Sequence, residues 1–340
     1  MHKCIYCLEE KEDRFFNKEH VVPRMMGTYN NGLVLSHKQV CESCNSFFRD
    51  ELENKLDLDS FEAWLRIQYR TKRLANGTVL RKQRIKIRGA ESTFKDLPFD
   101  VIADSTNPYG ISLNPEPLIG ILKDGDNHEY EFFKVEDLPM ATAGVIERLK
   151  AAQSPIINTG VPVEIATSAL LEKGYPISEY SQCSALDLYD SPMLLANVNL
   201  KIDPLVRRLC AKTAFNYLCH YNSAEFVLNE KFDEIRKYIR YGIWSDNLWF
   251  RYTFEPMKSV DLSNAGDNPH IVGCLLYAEN NAWSLCGSVT WFGKITYTIG
   301  LSKDIMPIIP NLYPNITSAA IFNNDTREIE KDESIFIYCD

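Results

Sequence analysis

The sequence has no long apolar segment, and this sets it apart from membrane proteins and secreted precursors. No run of about 18 apolar residues occurs in the chain, so a membrane-spanning helix is not expected. The first residues, Met1–Cys7, lack the apolar stretch of a secretory signal. We therefore expect a cytoplasmic protein without a membrane partner.

Internal repeats and low-complexity tracts are also missing from the 340 residues. With 45% hydrophobic and 24% charged residues, the composition is that of an ordinary globular protein and does not indicate disorder. A chain of this length exceeds one average domain and can bury sizeable cores. We expect two or three domains.

Basic residues are in short supply, which bears on nucleic-acid binding. The chain has 37 lysines and arginines against 46 acidic residues, a net charge of −9, whereas phosphate contacts need cations. Nine of the basic residues nevertheless fall in one segment that contains no acidic residue. The other 28 stand against 46 acids, so the remainder carries −18. The nine are Arg66, Arg70, Lys72, Arg73, Arg81, Lys82, Arg84, Lys86 and Arg88.

This cationic segment can steer a polyanion locally in an otherwise acidic protein. A strand over Arg84–Arg88 would place Arg84, Lys86 and Arg88 on one face, because side chains alternate with a period of two. We expect these three, with Arg81 and Lys82, to contact nucleic acid. The alternative is a solvated face without a partner.

Six of the ten cysteines are scattered and lie mostly in apolar surroundings. We expect such cysteines to be small buried side chains in a protein of a reducing compartment. They are Cys183, Cys210, Cys219, Cys274, Cys286 and Cys339.

The other four cysteines form two matched pairs, Cys4 with Cys7 and Cys41 with Cys44. A Cys-x-x-Cys turn supplies two thiolates from one loop, and two such turns complete a tetrahedral zinc site with no open position. We therefore predict structural Zn²⁺, which a module of about 50 residues needs for its stability. The alternatives are a redox dithiol, which would not need a second pair, and four unrelated thiols.

A Glu19-His20 pair lies between the cysteine pairs, and Asn45 directly follows the last cysteine. We predict a strand over Phe16–Pro23, a partner strand over Leu33–Val40 and a helix from Cys41 to about Leu56. Neighbouring residues on a strand point to opposite faces, so Glu19 and His20 meet one site only if the strand bends. Taken alone, Asn45 could equally be a helix cap.

These motifs resemble the HNH endonuclease family, in the bacterial branch that carries four zinc-binding cysteines. The resemblance covers roughly residues 1–58 and implies a ββα-metal fold. The motifs are Cys4-Ile5-Tyr6-Cys7, Glu19-His20-Val21-Val22-Pro23 and Val40-Cys41-Glu42-Ser43-Cys44-Asn45-Ser46.

The resemblance implies a role for each residue of the site. His20 would be the general base that takes a proton from the attacking water, a task that suits imidazole. Glu19 and Asn45 would hold one Mg²⁺ or Mn²⁺ through oxygen ligands. The expected substrate is double-stranded DNA, and the expected products carry 5′-phosphate and 3′-hydroxyl ends.

The chain departs from the family pattern at two positions. The family's middle Asn, which braces the loop of the base, is replaced by Ser36, so the brace cannot be assigned from the sequence. Arg49 stands one turn after Asn45 where relatives often have Gly, and we expect it to contact phosphate.

The predicted fold class is α+β, with the zinc-bound ββα-metal module followed by a mixed α/β region. We place domains at 1–58 for the nuclease module, 59–100 for a basic helix and strand extension, and 101–340 for recognition or regulation. Asp104–Pro117 reads as a loop, and Asp203-Pro204 begins a helix with an Asp cap. A further helix over Phe232–Arg240 ends at Gly242, and residues 269–301 are β-rich.

Three functions are therefore compatible with the sequence. The first is an HNH endonuclease acting on DNA, for which the resemblance suggests restriction or anti-phage defence. The second is a zinc-dependent nucleic-acid-binding or sensor protein whose nuclease site is vestigial. The third is a nuclease directed to RNA. A protein partner or a homodimer is compatible with each of them.

Overall fold

A computed structural model provides the structure of the protein. The predicted contact Lys82 and the residues Arg70, Lys72, Arg73, Cys183 and Cys339 lie outside the described part. The structure describes residues 1–69, 71, 74–81, 84–90, 94–107, 110–124, 129–152, 156–176, 180–182, 196–258, 260–279, 282–305, 317–332 and 337–338.

The chain divides into two compact units. A discontinuous unit consists of Met1–Arg73 and Ile202–Asp340, and an inserted unit consists of Leu74–Lys201. This division differs from the predicted boundaries at 58 and 100. The physical reason is one shared core, in which Val40 and Phe48 of the N-terminal segment pack with Phe215 of a distant helix. Such packing between remote segments leaves no local signal in the sequence.

The discontinuous unit begins with two short hairpins and three helices. The strands are β1 (His2–Lys3), β2 (Glu10–Lys11), β3 (Phe16–His20) and β4 (Val34–Cys41), which pair as β1 with β2 and β3 with β4, both antiparallel. The helices are α1 (Glu42–Phe48), α2 (Asn54–Leu56) and α3 (Phe61–Gln68), with a π-helical turn over Arg49–Glu53 joining α1 to α2.

The strand–strand–helix order matches the prediction for this segment. β3 ends at His20, three residues before Pro23, and the helical stretch reaches Leu56 as predicted. Ser60 caps α3, because its Oγ accepts a hydrogen bond from the backbone N of Ala63 at 3.0 Å.

In the described residues of the inserted unit, the strands form two four-stranded sheets, ordered β12-β5-β6-β7 and β11-β10-β8-β9, and two α-helices are present. Ile111–Pro115 forms strand β7, so the predicted loop over Asp104–Pro117 was wrong there; β7 pairs in antiparallel register with β6. The elements are β5 (Ile85–Gly89), β6 (Pro98–Ala103), β7 (Ile111–Pro115), β8 (Ile119–Asp124), β9 (Glu129–Phe133), α4 (Ala143–Ala151), β10 (Ile156–Asn158), α5 (Val163–Glu172), β11 (Tyr180–Gln182) and β12 (Ala196–Leu200).

The chain then returns to the discontinuous unit through a long buried helix, α6 (Pro204–Asn222). Asp203 caps it as predicted, since Oδ1 accepts hydrogen bonds from the backbone N of Leu205 at 2.9 Å and of Val206 at 3.3 Å. In the described part of the chain, α6 is followed by two shorter α-helices, α7 (Ala224–Val227) and α8 (Asp233–Tyr241). α8 ends at Gly242, which has the left-handed φ of +74° that favours glycine.

The C-terminal β-rich segment forms a seven-stranded sheet, ordered β13-β16-β15-β14-β17-β18, with β19 paired to β14. α6 packs so closely on this sheet that a Cβ on Gly287 would lie 2.3 Å from the Cβ of Ala214. The strands are β13 (Phe250–Thr253), β14 (His270–Glu279), β15 (Ala282–Trp291), β16 (Ile295–Ser302), β17 (Ala319–Phe322), β18 (Ile329–Asp332) and β19 (Ile337–Tyr338).

Four of the scattered cysteines lie in the described part, and all four are buried free thiols as predicted: Cys210, Cys219, Cys274 and Cys286. In that same part of the chain, no helix has both the length and the apolar character needed to cross a bilayer.

Candidate metal centre and catalytic cavity

The four paired cysteines meet at one point. Their sulfur atoms all lie within 4.8 Å of one another, and the Sγ atoms of Cys7 and Cys41 are 3.8 Å apart. A tetrahedral zinc ion with Zn–S bonds of about 2.3 Å requires sulfur atoms roughly 3.8 Å apart, well beyond disulfide bonding distance. The cluster therefore has the chemistry and the spacing to hold zinc.

The four sulfur atoms come from two places in the N-terminal module. Cys41 closes β4 and Cys44 lies in the first turn of α1, while a tight turn after β1 carries Cys4 and Cys7. In that turn the backbone N of Leu8 donates to the carbonyl of Cys4 at 3.0 Å. The backbone N of Cys41 donates to Cys4 Sγ at 3.4 Å, which ties the two pairs together.

Glu19, His20 and Asn45 line one cavity of about 650 Å³. Arg24 and Arg49 line it as well, with Lys18, Glu53 and Asp57. The three predicted catalytic residues are thus brought together, although β3 alone would point Glu19 and His20 to opposite faces.

An irregularity in the hairpin precedes the Glu19-His20 pair. Asn17 pairs with Val40, but Glu19 pairs with Leu35, so β4 contains extra residues between the two pairings. A bulge of this kind bends a strand and re-aims the side chains beside it. The extra residues are in β4, directly opposite the part of β3 that carries Glu19 and His20.

Glu19 is buried, with only 5% of its surface exposed. Its Oε1 forms an ion pair with Lys212 Nζ and accepts a hydrogen bond from Asn216 Nδ2 at 3.3 Å. Burial raises the pKa of the Glu19 carboxyl, and the nearby Lys212 ammonium opposes that rise. Since both contacts share Oε1, Oε2 is the oxygen that remains for a cation.

Asn45 is held in a similar way. Its Nδ2 donates to the carbonyl of Lys18 at 2.9 Å, which leaves Oδ1 for a cation. The N-cap of α1 is Cys41, so Asn45 lies inside the helix and does not act as its cap. Two oxygen donors therefore line the same cavity, and a hard divalent cation such as Mg²⁺ or Mn²⁺ fits this donor set.

His20 is half-buried, and its Nε2 lies 3.3 Å from the Nε of the exposed Arg24, which donates to it. Burial lowers the pKa of the imidazole, and the positive charge of Arg24 lowers it further. The lowered pKa favours the neutral ring, in which Nε2 accepts the hydrogen bond from Arg24. A neutral imidazole with an accepting nitrogen is the form that can take a proton.

Residues 4–59 match the family model described as HNH endonuclease. This segment is an HNH endonuclease domain. The predicted resemblance is confirmed for the N-terminal module. No curated protein and no solved structure matches the chain.

Two further residues contact the HNH site, and they were not identified from the sequence. Lys212 and Asn216 both lie on α6 and are fully buried. Lys212 Nζ also lies 2.8 Å from Glu53 Oε1. Burial lowers the pKa of Lys212, but Glu19 and Glu53 outweigh it and raise that pKa overall. The available signal was a lysine and an asparagine, four residues apart, beside the apolar residues Leu209, Phe215 and Cys219 of the same helix.

The residues predicted to contact nucleic acid differ in their exposure to solvent. Arg49 is exposed at the HNH cavity, where its Nε lies 2.8 Å from Asp50 Oδ1. Arg81, Lys86 and Arg88 are exposed in the inserted unit. Arg84 is only 9% exposed, so the expected face of three cations was wrong for Arg84.

Two arginines of the cationic segment, Arg84 and Arg66, are buried within the fold. Arg84 precedes β5, and the backbone N of Lys201 donates to its carbonyl at 2.8 Å, so the backbone pairing between β5 and β12 extends to this position. Arg66 is fully buried, where it donates to the carbonyl of Met25 at 2.8 Å and pairs with Asp57. Its role in the fold is therefore structural.

We expect Cys41→Ser to remove the metal from the HNH domain. Zinc content, measured by mass spectrometry, should fall from about one atom per chain to near zero, because a tetrahedral site needs all four sulfurs. Thermal unfolding should begin at a lower temperature, since metal binding supports the fold. Cys274→Ala is the control and should keep its zinc; a Cys41→Ser protein with full zinc content contradicts the assignment.

We expect Lys212→Met to lower the free energy of unfolding by about 3–5 kcal/mol, because it leaves the buried Glu19 and the partly buried Glu53 without a counter-charge. Denaturant unfolding of the full chain measures the change. The control is Lys231→Met, whose partner Asp304 lies 3.4 Å away and is exposed, and it should change stability by less than about 1 kcal/mol. Equal effects for the two variants would show that Lys212 is not a structural cation.

Proposed function

We propose that the protein is a metal-dependent HNH endonuclease that hydrolyses phosphodiester bonds of double-stranded DNA. The observation that carries the proposal is the convergence of His20, Glu19 and Asn45 on one cavity within a segment matching the HNH family. The resemblance to bacterial HNH nucleases supports a role in restriction or anti-phage defence.

In this proposal each side chain performs one task. His20 accepts the proton of the attacking water at its Nε2, and its lowered pKa keeps it neutral for that purpose. Glu19 and Asn45 would hold Mg²⁺ or Mn²⁺, which stabilises negative charge on the phosphate and on the leaving oxygen. The four-cysteine cluster would hold Zn²⁺ and fix the β3–β4 hairpin and α1 relative to each other.

Cations around the cavity support a polyanionic substrate. Lys18, Arg24 and Arg49 all line it and are exposed. Lys86 and Arg88 on β5, with Arg81, are further candidates for phosphate contacts in the inserted unit. Such contacts position a nucleic acid without reading its sequence.

We expect His20→Ala to lower the rate of plasmid nicking by at least about 100-fold, the usual contribution of a general base. Supercoiled plasmid, single-stranded DNA and RNA are each incubated with Mg²⁺, Mn²⁺ or EDTA. His2→Ala is the control, because His2 does not line the cavity and contacts Asp13 at 2.8 Å and the Phe16 ring, and it should cut normally.

Each other outcome of that assay has a definite meaning. Full nicking by His20→Ala refutes the assigned base. Preferential cutting of RNA keeps the chemistry and replaces the substrate. Tight nucleic-acid binding by the wild-type protein, without cleavage under any divalent ion, favours a binding or sensor protein over a nuclease.

We expect the double variant Lys86→Ala/Arg88→Ala to bind DNA more weakly and with a salt dependence reduced by about two units of slope, since each phosphate contact contributes about 0.9. Fluorescence anisotropy at several salt concentrations measures this. Lys123→Ala/Lys150→Ala removes two exposed lysines from the same unit and should leave the slope unchanged. An unchanged slope in the β5 variant removes this strand from the interface.

A further inference from the structure

A single buried amide touches both residues of the Glu19-His20 pair. Asn216, in the middle of α6, is fully buried, and its Nδ2 donates to the backbone carbonyl of His20 at 3.1 Å. The same Nδ2 donates to Glu19 Oε1 at 3.3 Å. One side chain therefore contacts the backbone that carries the base and the carboxylate beside it.

The orientation of this amide is fixed by its other end. Asn216 Oδ1 accepts a hydrogen bond from the hydroxyl of Tyr6 at 2.6 Å. The His20 carbonyl and the Glu19 carboxylate can only accept, so the NH₂ group of Asn216 must face them. Tyr6 is itself buried, stands between Cys4 and Cys7, and packs against Phe48 with ring centroids 4.6 Å apart.

We propose that Asn216 is a positioning residue of the HNH site, which orients the His20 backbone and the Glu19 carboxylate so that the imidazole and Oε2 face the cavity together. This inference rests on the proposed nuclease function. Asn216 acts through two other residues and does not itself line the cavity.

The segment 4–59 does not provide this contact at its own expected bracing position. Ser36 is exposed, and its backbone N donates to Gln39 Oε1 at 2.7 Å. The donor comes instead from a helix 196 residues further along the chain. The HNH segment is thus completed by α6, which belongs to the same compact unit.

The expected loss on removing the Asn216 contacts can be judged from similar contacts in other metal sites. Groups that orient a metal ligand typically change metal affinity or activity by about 10–100-fold when removed. A displacement of the base by about 1 Å can lower a rate by about 100-fold without changing substrate binding.

Two variants test the proposal. Asn216→Asp keeps the shape and the contact to Tyr6 but removes the donor, whereas Asn216→Leu removes the donor without adding a charge. The matched control is Asn222→Leu, on the same helix, because Asn222 Nδ2 donates only within α6, to Leu218 at 3.1 Å. Zinc content and thermal unfolding of each full-length protein report whether the fold is retained.

Three readouts are measured on each variant: kcat and KM for plasmid nicking, and the Kd for Mn²⁺ by isothermal titration calorimetry without nucleic acid. We expect both Asn216 variants to lower kcat by about 10–100-fold and to weaken Mn²⁺ binding by about 10-fold. KM should stay the same, since the cations that meet the substrate are untouched. Tyr6→Phe, which frees the amide to rotate, should lower kcat less.

Other results overturn the inference in distinguishable ways. If the wild-type protein cuts DNA and both Asn216 variants keep its kcat and its Mn²⁺ affinity, Asn216 does not position the site. If their losses only follow a fall in unfolding temperature that Asn222→Leu shares, the role is structural. If the wild-type protein neither cuts nor binds Mn²⁺, the proposed function fails first, and this inference fails with it.

Discussion

The buried ammonium group of Lys212 is the charge on which one wall of the HNH cavity depends. Its Nζ is inaccessible to solvent and meets the carboxylates of Glu19 and Glu53. Two carboxylates this close would repel each other strongly at low dielectric, and the lysine between them removes that repulsion. Lys212 therefore neutralises one of the two negative charges beside the proposed metal site, and one negative charge remains to attract a divalent cation.

The C-terminal part of the chain also supports the turn that carries Cys4 and Cys7. Arg236 of α8 is 2% exposed and donates to the carbonyl of Ile5, between Cys4 and Cys7, at 2.6 Å. It donates as well to the carbonyl of Val227 at 2.6 Å and pairs with Asp233. A guanidinium with three acceptors is well satisfied despite its burial. The C-terminal helices thus hold the N-terminal module through buried polar groups as well as through apolar packing.

The local elements of the site were predictable because their signals are local. Cysteine spacing indicated the four-sulfur cluster, and the local motifs around Glu19, His20 and Asn45 indicated three residues that line one cavity. The Asp203 cap and Gly242 likewise located helix ends by their own chemistry. Lys212 and Asn216 could not be predicted, because their meaning depends on which buried groups α6 meets, and that pairing spans roughly 200 residues.

The exposure of the cationic segment was predicted only in part, for a related reason. The alternation of Lys86 and Arg88 in β5 follows from strand geometry and is observed. The burial of Arg84 and Arg66 depends on β12 and on Asp57, which the segment itself does not contain. The number of basic residues in the segment therefore predicted more exposed positive charge than the folded protein has.

The insertion of residues 74–201 between the two parts of the discontinuous unit has a consequence for biosynthesis. A growing polypeptide emerges from the ribosome with its amino terminus first, at about 5–20 residues per second. The cysteines, His20 and Asn45 therefore emerge well before Lys212 and Asn216 have been translated. For at least several seconds the nascent chain has the cysteines, His20 and Asn45 without α6, so the buried contacts of Lys212 and Asn216 with Glu19 form only after the intervening unit has been made.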